Sequence, residues 1–245
     1  MSRSARIVKR TWLFDLDNTL HDASRAAFGP TNEAMTRYIA EHLRLSWQEA
    51  SALRQHYWHH YGATLLGLVR HHGVKATHFL EETHRLPGLE QRLRMSAHDR
   101  VALRRLPGRK FILTNAPRSY AVRVLTTLGL AACFDGLISI EDMTMFGQHR
   151  PKPDARMLRH VAARLKTAPA RCVLVEDTLA HQRAACGVGM KTVWMQRYLR
   201  GAIHAGGVSM KVGVHPCPKP AYVCARIKSI QALRSLWCTR DELPH

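Results

Sequence analysis

Two aspartates at the end of an apolar run are the residues in this chain best suited to chemistry. The run Thr11 to Phe14 is followed directly by Asp15, Leu16 and Asp17. Side chains alternate along a β-strand, so Asp15 and Asp17 share a face if the strand continues straight through them. Two carboxylates held that close repel each other unless a cation lies between them. Magnesium is the simplest such cation and commonly brings phosphate oxygens with it. The pair predicts phosphoryl transfer, although D-x-D alone also suits residues that merely cap a turn.

A second segment places polar side chains in a comparable position. Phe111 to Leu113 form a short apolar run that stops at Thr114 and Asn115, and a helical pattern begins near Pro117. The N-terminus of a helix favours a bound phosphate, which makes Thr114 and Asn115 candidates for phosphate binding. A helix cap followed by a turn accounts for the two residues equally well.

Two more segments supply one cation and two acids. Lys152 lies between two prolines just before a predicted helix. The prolines stiffen the backbone at this point and so orient the Lys152 ammonium group. In so basic a chain, a solvated surface position is the ordinary alternative for a lysine. Cys172 to Val175 form a buried-strand pattern that ends at Glu176 and Asp177, which would otherwise be exposed loop residues.

Short apolar strands that alternate with helices predict an α/β fold, with a doubly wound parallel sheet and helices on both faces. Ligands of such sheets bind beyond the carboxyl ends of the strands, so the four polar groups are expected to converge on one edge. Near the C-terminus, Pro220 to Val223 are expected to form the last edge strand, and Ile230 and Leu233 a final helix. The glycine- and proline-rich stretch 200–220 is predicted to be a long loop of undetermined role.

The order D-x-D-x-T, T-N, K-P, E-D resembles the haloacid dehalogenase superfamily of phosphatases, which implies a Rossmann-like core. The residues that carry the resemblance are Asp15, Asp17, Thr19, Thr114, Asn115, Lys152, Pro153, Glu176 and Asp177. The segments Thr114 to Pro117 and Phe134 to Gly136 look like the branch of pyrimidine 5′-nucleotidases. Sister branches of sugar phosphatases and phosphoglucomutases share most of these features.

The resemblance implies a role for each residue. Asp15 would be the nucleophile, and Asp17 would protonate the leaving alkoxide and then deprotonate the attacking water. Mg²⁺ would be held by Asp15, the backbone carbonyl of Asp17, and Asp177, with Glu176 as a further ligand or a supporting partner. The residues implied to balance the charge of the phosphoryl oxygens are Thr114, Asn115 and Lys152.

Two positions refine that comparison. Dehalogenases of the superfamily lack an aspartate at the position of Asp17, because a halide leaving group needs no proton. Its presence here therefore favours phosphate chemistry. Similar phosphatases often carry Asn or Asp where this chain has His181, a departure that bears on how the metal ligands are supported.

The interval between Asp17 and Thr114 is too long for one crossover helix, and its apolar residues recur at helical spacing. It is predicted to be an inserted helical cap. The resemblance implies that the cap occupies residues 22–95, that the catalytic core comprises 1–21 and 96–245, and that the cap closes over the substrate. The histidines of the insert include His56, His59, His60, His71, His72, His78 and His84.

The formal net charge of +19 is the compositional feature that phosphatase chemistry does not require. It leaves nucleic-acid binding as an alternative from another class. That alternative is less favoured because the charge is spread along the chain without a recognisable binding motif. No apolar stretch reaches the ~18 residues of a membrane span. With six scattered cysteines and no C-x-x-C pair, the chain is expected to be cytoplasmic; its oligomeric state is undetermined.

These observations together predict a magnesium-dependent phosphomonoester hydrolase that acts on a small phosphorylated metabolite through an aspartyl-phosphate. A pyrimidine nucleoside 5′-monophosphate is the favoured substrate. The alternatives within the superfamily are a sugar-phosphate phosphatase and a phosphoglucomutase-like enzyme.

Overall fold

The computed structural model describes residues 10–199 and 218–238 of the 245-residue chain. The strands are β1 (Thr11–Phe14), β2 (Arg109–Leu113), β3 (Gly136–Ile138), β4 (Thr144–Met145), β5 (Gln148–His149), β6 (Cys172–Glu176), β7 (Lys191–Met195) and β8 (Ala225–Ile227). The α-helices are α1 (Gly29–Leu43), α2 (Trp47–Tyr61), α3 (Thr64–His72), α4 (Ala76–Thr83), α5 (Leu89–Arg92), α6 (Ala97–Arg105), α7 (Arg118–Thr127), α8 (Ala155–Arg164), α9 (Leu179–Gly187) and α10 (Ala232–Cys238). A π-helix at Ser24–Phe28 leads into α1.

Six strands form one parallel sheet in the order β3-β2-β1-β6-β7-β8, and β4 and β5 form a separate antiparallel hairpin. The predicted α/β fold with a parallel sheet is therefore confirmed. The chain first winds from β1 outward to β2 and β3, and later continues from the other side of β1 with β6. The strand order thus reverses between β1 and β6. In sheets of this kind, the crevice at the carboxyl ends of the strands at this reversal is where ligands bind.

Helices cover both faces of the sheet, and the side chains of β1 show how the layers are divided. Trp12 and Phe14 belong to the buried apolar cluster that includes residues of α6, α7 and α10. Leu13, between them, belongs to the cluster that includes residues of α8 and α9. Because successive side chains of a strand point to opposite faces, the burial of all four residues of β1 shows that the strand is covered on both sides.

Helices α1 to α4, which follow β1, have an apolar cluster of their own. The buried residues of this cluster are Tyr38, Ile39, Ala50, Tyr57, Leu65, Leu68, Phe79, Leu80 and, from beyond β3, Ile140. Helix α2 begins at a capping box in which Ser46 and Glu49 satisfy each other's backbone N–H groups. The division into a core and a cap at residues 22 and 95 remains a prediction. Among the described helices, none has both the length and the apolar character needed to cross a membrane.

The expectation for the last strand was wrong by a few residues. Val223 N donates to Pro220 O at 3.0 Å, so Pro220 to Val223 form a turn, and the edge strand is Ala225–Ile227. Proline has no N–H to offer the sheet. Pairing with β7 begins at Cys224, whose N–H donates to Thr192 O. Helix α10 follows with Leu233 buried against the sheet, and residues 200–217 of the predicted loop lie outside the described residues.

Replacement of Gly67 in α3 by alanine is expected to destabilise the protein. A Cβ there would lie 2.2 Å from Cγ of Tyr57, a buried ring whose hydroxyl bonds His72 Nε2 at 2.7 Å. Alanine normally favours a helix by about 1 kcal/mol over glycine, but overpacking should outweigh this and destabilise Gly67→Ala by about 2 kcal/mol. Thermal unfolding tests this against Gly187→Ala, whose Cβ would meet no described atom beyond its own helix within 4 Å. Equal melting temperatures for the two variants would contradict the prediction.

Candidate active site

The register of β1 against β6 brings the acids together. Phe14 pairs with Val175, and Asp15 N continues the ladder by donating to Val175 O at 3.0 Å. Asp15 and Glu176 consequently stand side by side at the carboxyl edge of the sheet. Carboxylate oxygens of Asp15, Glu176 and Asp177 all lie within 4.8 Å of one another. These oxygens are the hard donors that a divalent cation such as Mg²⁺ prefers.

Lys152 is buried among these acids. Its Nζ donates to Asp15 Oδ1 and to Glu176 Oε2, both at 2.7 Å, and the residue is 1% exposed. Burial alone would lower the pKa of Lys152, but the charges of Asp15 and Glu176 outweigh it and raise the pKa above its ordinary value. The ammonium is therefore permanently charged, and it is not the solvated surface group that a basic composition makes the ordinary expectation.

The backbone of Lys152 is fixed by Asn115. Asn115 Nδ2 donates to Lys152 O and Lys152 N donates to Asn115 Oδ1, each at 2.9 Å. Thr114 continues β2 by donating its N–H to Ile138 O at 3.0 Å, and its buried Oγ1 accepts from Ala116 N at 3.0 Å. The two residues named for phosphate binding are thus brought to the site, and Asn115 also positions the lysine.

Burial and the neighbouring charges shift the pKa values of the three acids in different directions. Burial, reinforced by the charge of Glu176, raises the pKa of Asp15 to about 7. Burial and the charges of Glu176 and Asp15 also raise the pKa of Asp177 well above its ordinary value. Burial would raise the pKa of Glu176 as well, but Lys152 and then His181 hold it below its ordinary value. One ammonium does not balance three carboxylates, so a further cation among these oxygens would be stabilised.

Asp17 points to a different set of partners. Its Oδ1 accepts from Tyr120 Oη at 2.7 Å and lies 3.0 Å from His21 Nε2. Tyr120 and His21 are both buried, and burial, followed by the charge of Asp17, keeps the pKa of Tyr120 well above its ordinary value. Tyr120 is therefore a fixed donor. The Asp17 carboxylate is outside the group of close oxygens formed by Asp15, Glu176 and Asp177.

A tight turn after β1 makes this arrangement possible. Asn18 has a positive φ of 55°, and its Oδ1 accepts from the backbone N–H of Ser24 at 3.0 Å. Asparagine tolerates this backbone conformation better than most residues. The turn returns His21 to Asp17 and leaves the buried Thr19 Oγ1 without a hydrogen-bond partner among the described residues. The sequence patterns did not identify Asn18, His21 or Tyr120 as residues of the site.

The loop after β6 is held by side chains of α9 and β7. Gln182 Nε2 donates to Glu176 O at 2.7 Å, and Trp194 Nε1 donates to Asp177 O at 2.9 Å. His181 Nδ1 lies 3.1 Å from Glu176 Oε2. His181, noted above as a departure from the resembling phosphatases, thus contacts Glu176, which also binds Lys152.

The insert reaches the site through His84, which follows α4. Its ring lies 5.8 Å from that of Tyr120, edge to face. Burial lowers the pKa of His84 to about 4, so the ring is neutral near pH 7. Other histidines of the insert pair with its tyrosines, as His72 does with Tyr57 and His78 with Tyr38. His84 thus connects the insert to Tyr120, the residue that donates to Asp17.

Three comparisons with known proteins agree with this geometry. A family model described as haloacid dehalogenase-like hydrolase matches residues 9–188. "Phosphate metabolism protein 8" of Saccharomyces cerevisiae is 24% identical over 197 residues, and the match covers 74% of this chain but 60% of that protein. This chain therefore spans less than two thirds of the curated relative it matches.

Solved structures show the same fold. A HAD phosphatase from Thermococcus onnurineus superposes with a TM-score of 0.58 at 20% identity, covering 93% of this chain and 97% of the other. The HAD-hydrolase YfnB from Bacillus subtilis, solved bound to magnesium, gives 0.56 at 18% identity and covers 93% and 98%. The family match extends over more than half of the chain and includes Asp15, Asp17, Lys152, Glu176 and Asp177. The chain therefore belongs to the haloacid dehalogenase-like hydrolase family.

Proposed function

We propose that this enzyme is a magnesium-dependent phosphomonoester hydrolase that acts through an aspartyl-phosphate on a small phosphorylated metabolite. The observation that carries the proposal is the buried contact between Lys152 Nζ and Asp15 Oδ1 at 2.7 Å, beside the close oxygens of Glu176 and Asp177. A carboxylate nucleophile, a fixed ammonium and a set of oxygens suited to a cation are the parts that phosphoryl transfer requires.

Asp15 and Asp17 divide the chemistry between them. A carboxylate oxygen of Asp15 forms a bond to phosphorus while the bond from phosphorus to the ester oxygen breaks, and Asp17 gives its proton to that oxygen. Asp17, now ionised, takes a proton from a water molecule that attacks the aspartyl-phosphate. The attack releases inorganic phosphate and restores the Asp15 carboxylate. Tyr120 and His21 hold Asp17 in place for both steps.

The proposed Mg²⁺ ligands are the carboxylates of Asp15 and Asp177 and the backbone carbonyl of Asp17, with Glu176 as a further ligand or support. Their oxygens fit a hard cation, and the magnesium bound to YfnB supports the choice of metal. When bound, the ion supplies positive charge for the phosphoryl oxygens. The residues proposed to share that task are Thr114, Asn115 and Lys152.

The favoured substrate is a pyrimidine nucleoside 5′-monophosphate. The support is the resemblance of the segments Thr114 to Pro117 and Phe134 to Gly136 to that branch. Residues 22–95 are proposed as the cap, and His84 beside Tyr120 is the contact that supports an insert closing over the site. A cytoplasmic enzyme is supported by the free thiols of the described cysteines, which are Cys133, Cys172, Cys186 and Cys224.

Replacing the proposed nucleophile tests the function directly. Phosphate release from UMP, CMP and a set of sugar phosphates is measured with and without Mg²⁺. We expect magnesium-dependent release by the wild type and a loss of about 10³-fold or more in Asp15→Asn, because an amide does not attack phosphorus. Glu33→Gln is the matched control, since Glu33 is exposed on α1 and pairs only with Arg37 in the described part of the chain. Release by Asp15→Asn at the wild-type rate would refute the assignment.

Lys152→Met tests the charge balance of the site. Removal of the ammonium leaves the buried carboxylates of Asp15 and Glu176 uncompensated, so we expect a loss of about 3 kcal/mol in unfolding free energy in EDTA. Millimolar Mg²⁺ should recover part of it by replacing the missing positive charge. Urea unfolding with either additive measures both effects, with exposed Lys75→Met as the control. A variant as stable as the wild type in EDTA would show that the ion pairs do not hold the site together.

Tyr120→Phe tests whether Tyr120 positions the proposed acid. Without this donor, Asp17 should deliver its proton less well, so kcat/KM for an alkyl phosphate, which reports formation of the aspartyl-phosphate and not its hydrolysis, should fall about 10-fold. For p-nitrophenyl phosphate, kcat/KM should be nearly unaffected, because nitrophenolate leaves without a proton. Tyr57→Phe removes a hydroxyl bonded to a histidine within the insert and serves as the control. An equal fall with both substrates would indicate a purely structural role for Tyr120.

A further inference from the structure

A cavity lies where three segments of the chain meet, and its lining includes none of the three clustered carboxylates. Its volume is about 250 Å³, and its lining includes Asp22 and Arg25 after β1, Arg92 and Arg94 before α6, and Arg197 after β7. The first two segments are the points at which the chain leaves the sheet and returns to it. Four guanidinium groups against one carboxylate make this lining strongly cationic.

Most of that positive charge forms no salt bridge within the described part of the chain. Arg197 Nη1 pairs with the buried carboxylate of Asp99. Arg25, Arg92 and Arg94 form no salt bridge with any carboxylate of residues 10–199 or 218–238. Stretches 1–9 and 200–217 contain no aspartate or glutamate, and the remaining acids, Asp241 and Glu242, lie outside the described residues. Three like charges on one cavity repel each other, and a bound anion would relieve that repulsion.

Arg92 is already held in place. Its Nε donates to Ala26 O at 2.8 Å and its Nη1 to Pro87 O at 3.1 Å. Its Nη2 is buried and has no hydrogen-bond partner in the described part of the chain. A guanidinium fixed by neutral carbonyls keeps its full charge, and it loses little further freedom when it binds a ligand.

We propose that this cavity binds a phosphate-type dianion, either as the free ion or as the end of a larger ligand. Planar guanidinium groups match the oxygens of phosphate in charge and geometry. Ser96 and Tyr198, which carry hydroxyl groups, are also among the residues that line the cavity. The one carboxylate of the lining, Asp22, is engaged with the backbone, since its Oδ1 accepts from Arg25 N at 3.1 Å. The inference goes beyond the proposed hydrolysis and does not rest on it.

The test uses the full chain in EDTA, where the three clustered carboxylates of Asp15, Glu176 and Asp177 disfavour binding of an anion beside them. Inorganic phosphate and pyrophosphate are titrated by calorimetry. We expect one site in the wild type and an affinity at least 10-fold weaker in Arg25→Ser/Arg94→Ser. The control is Arg104→Ser/Arg105→Ser, which removes the same charge from exposed positions of α6 and should bind as the wild type does.

If inorganic phosphate binds, the free ion is a sufficient ligand for the cavity. If only pyrophosphate binds, the ligand is the phosphate end of a larger polyanion. Both results support the site if the cavity variant loses them and the control keeps them. Because Arg25 and Arg94 are exposed, the variant should fold, and its thermal midpoint in EDTA without anion verifies this. No binding by the wild type, or equal affinity in the cavity variant and the wild type, would overturn the proposal.

Discussion

The buried ammonium of Lys152 is the constraint on which the site depends. Burial of an ion costs several kcal/mol unless partners compensate it, and Lys152 has two, Asp15 and Glu176, at 2.7 Å. These partners belong to neighbouring strands, so the lysine fixes its own loop to the centre of the sheet. Asn115 fixes the lysine backbone in turn, and Gln182 fixes the carbonyl of Glu176. Loss of any one of these contacts would leave a buried polar group without its partner.

The placement of the acids at one edge could be predicted because it depends on topology alone. Asp15, Thr114 and Glu176 each stand at or just after the end of an apolar run of strand length, and parallel strands end on the same side of their sheet. The reversal of strand order between β1 and β6 then makes Asp15 and Glu176 neighbours. Periodicity and strand-end polarity were therefore sufficient to identify the fold and the edge that carries the site.

The direction of individual side chains could not be predicted in this way. Tyr120 occupies an apolar position of α7, and only the folded chain reveals that its hydroxyl ends at Asp17. His21 reaches the same oxygen through a turn that depends on the positive φ of Asn18. The segment Pro220 to Val223 has the composition of a strand, but pairing with β7 begins only at Cys224. Contacts such as these depend on partners distant in sequence or on local backbone angles, and hydrophobic spacing contains neither.

The distribution of charge reconciles the basic chain with an acidic site. A net charge of +19 creates a positive field that attracts small anions from a distance, and a binding motif for nucleic acid is not needed to explain it. Within the site the sign reverses, because three close carboxylates meet one ammonium. A phosphate ester drawn to the surface would be repelled there until a divalent cation balances the acids. The same acids that would hold the metal therefore make anion binding depend on it, which couples the proposed nucleophile, metal ligands and substrate into one electrostatic unit.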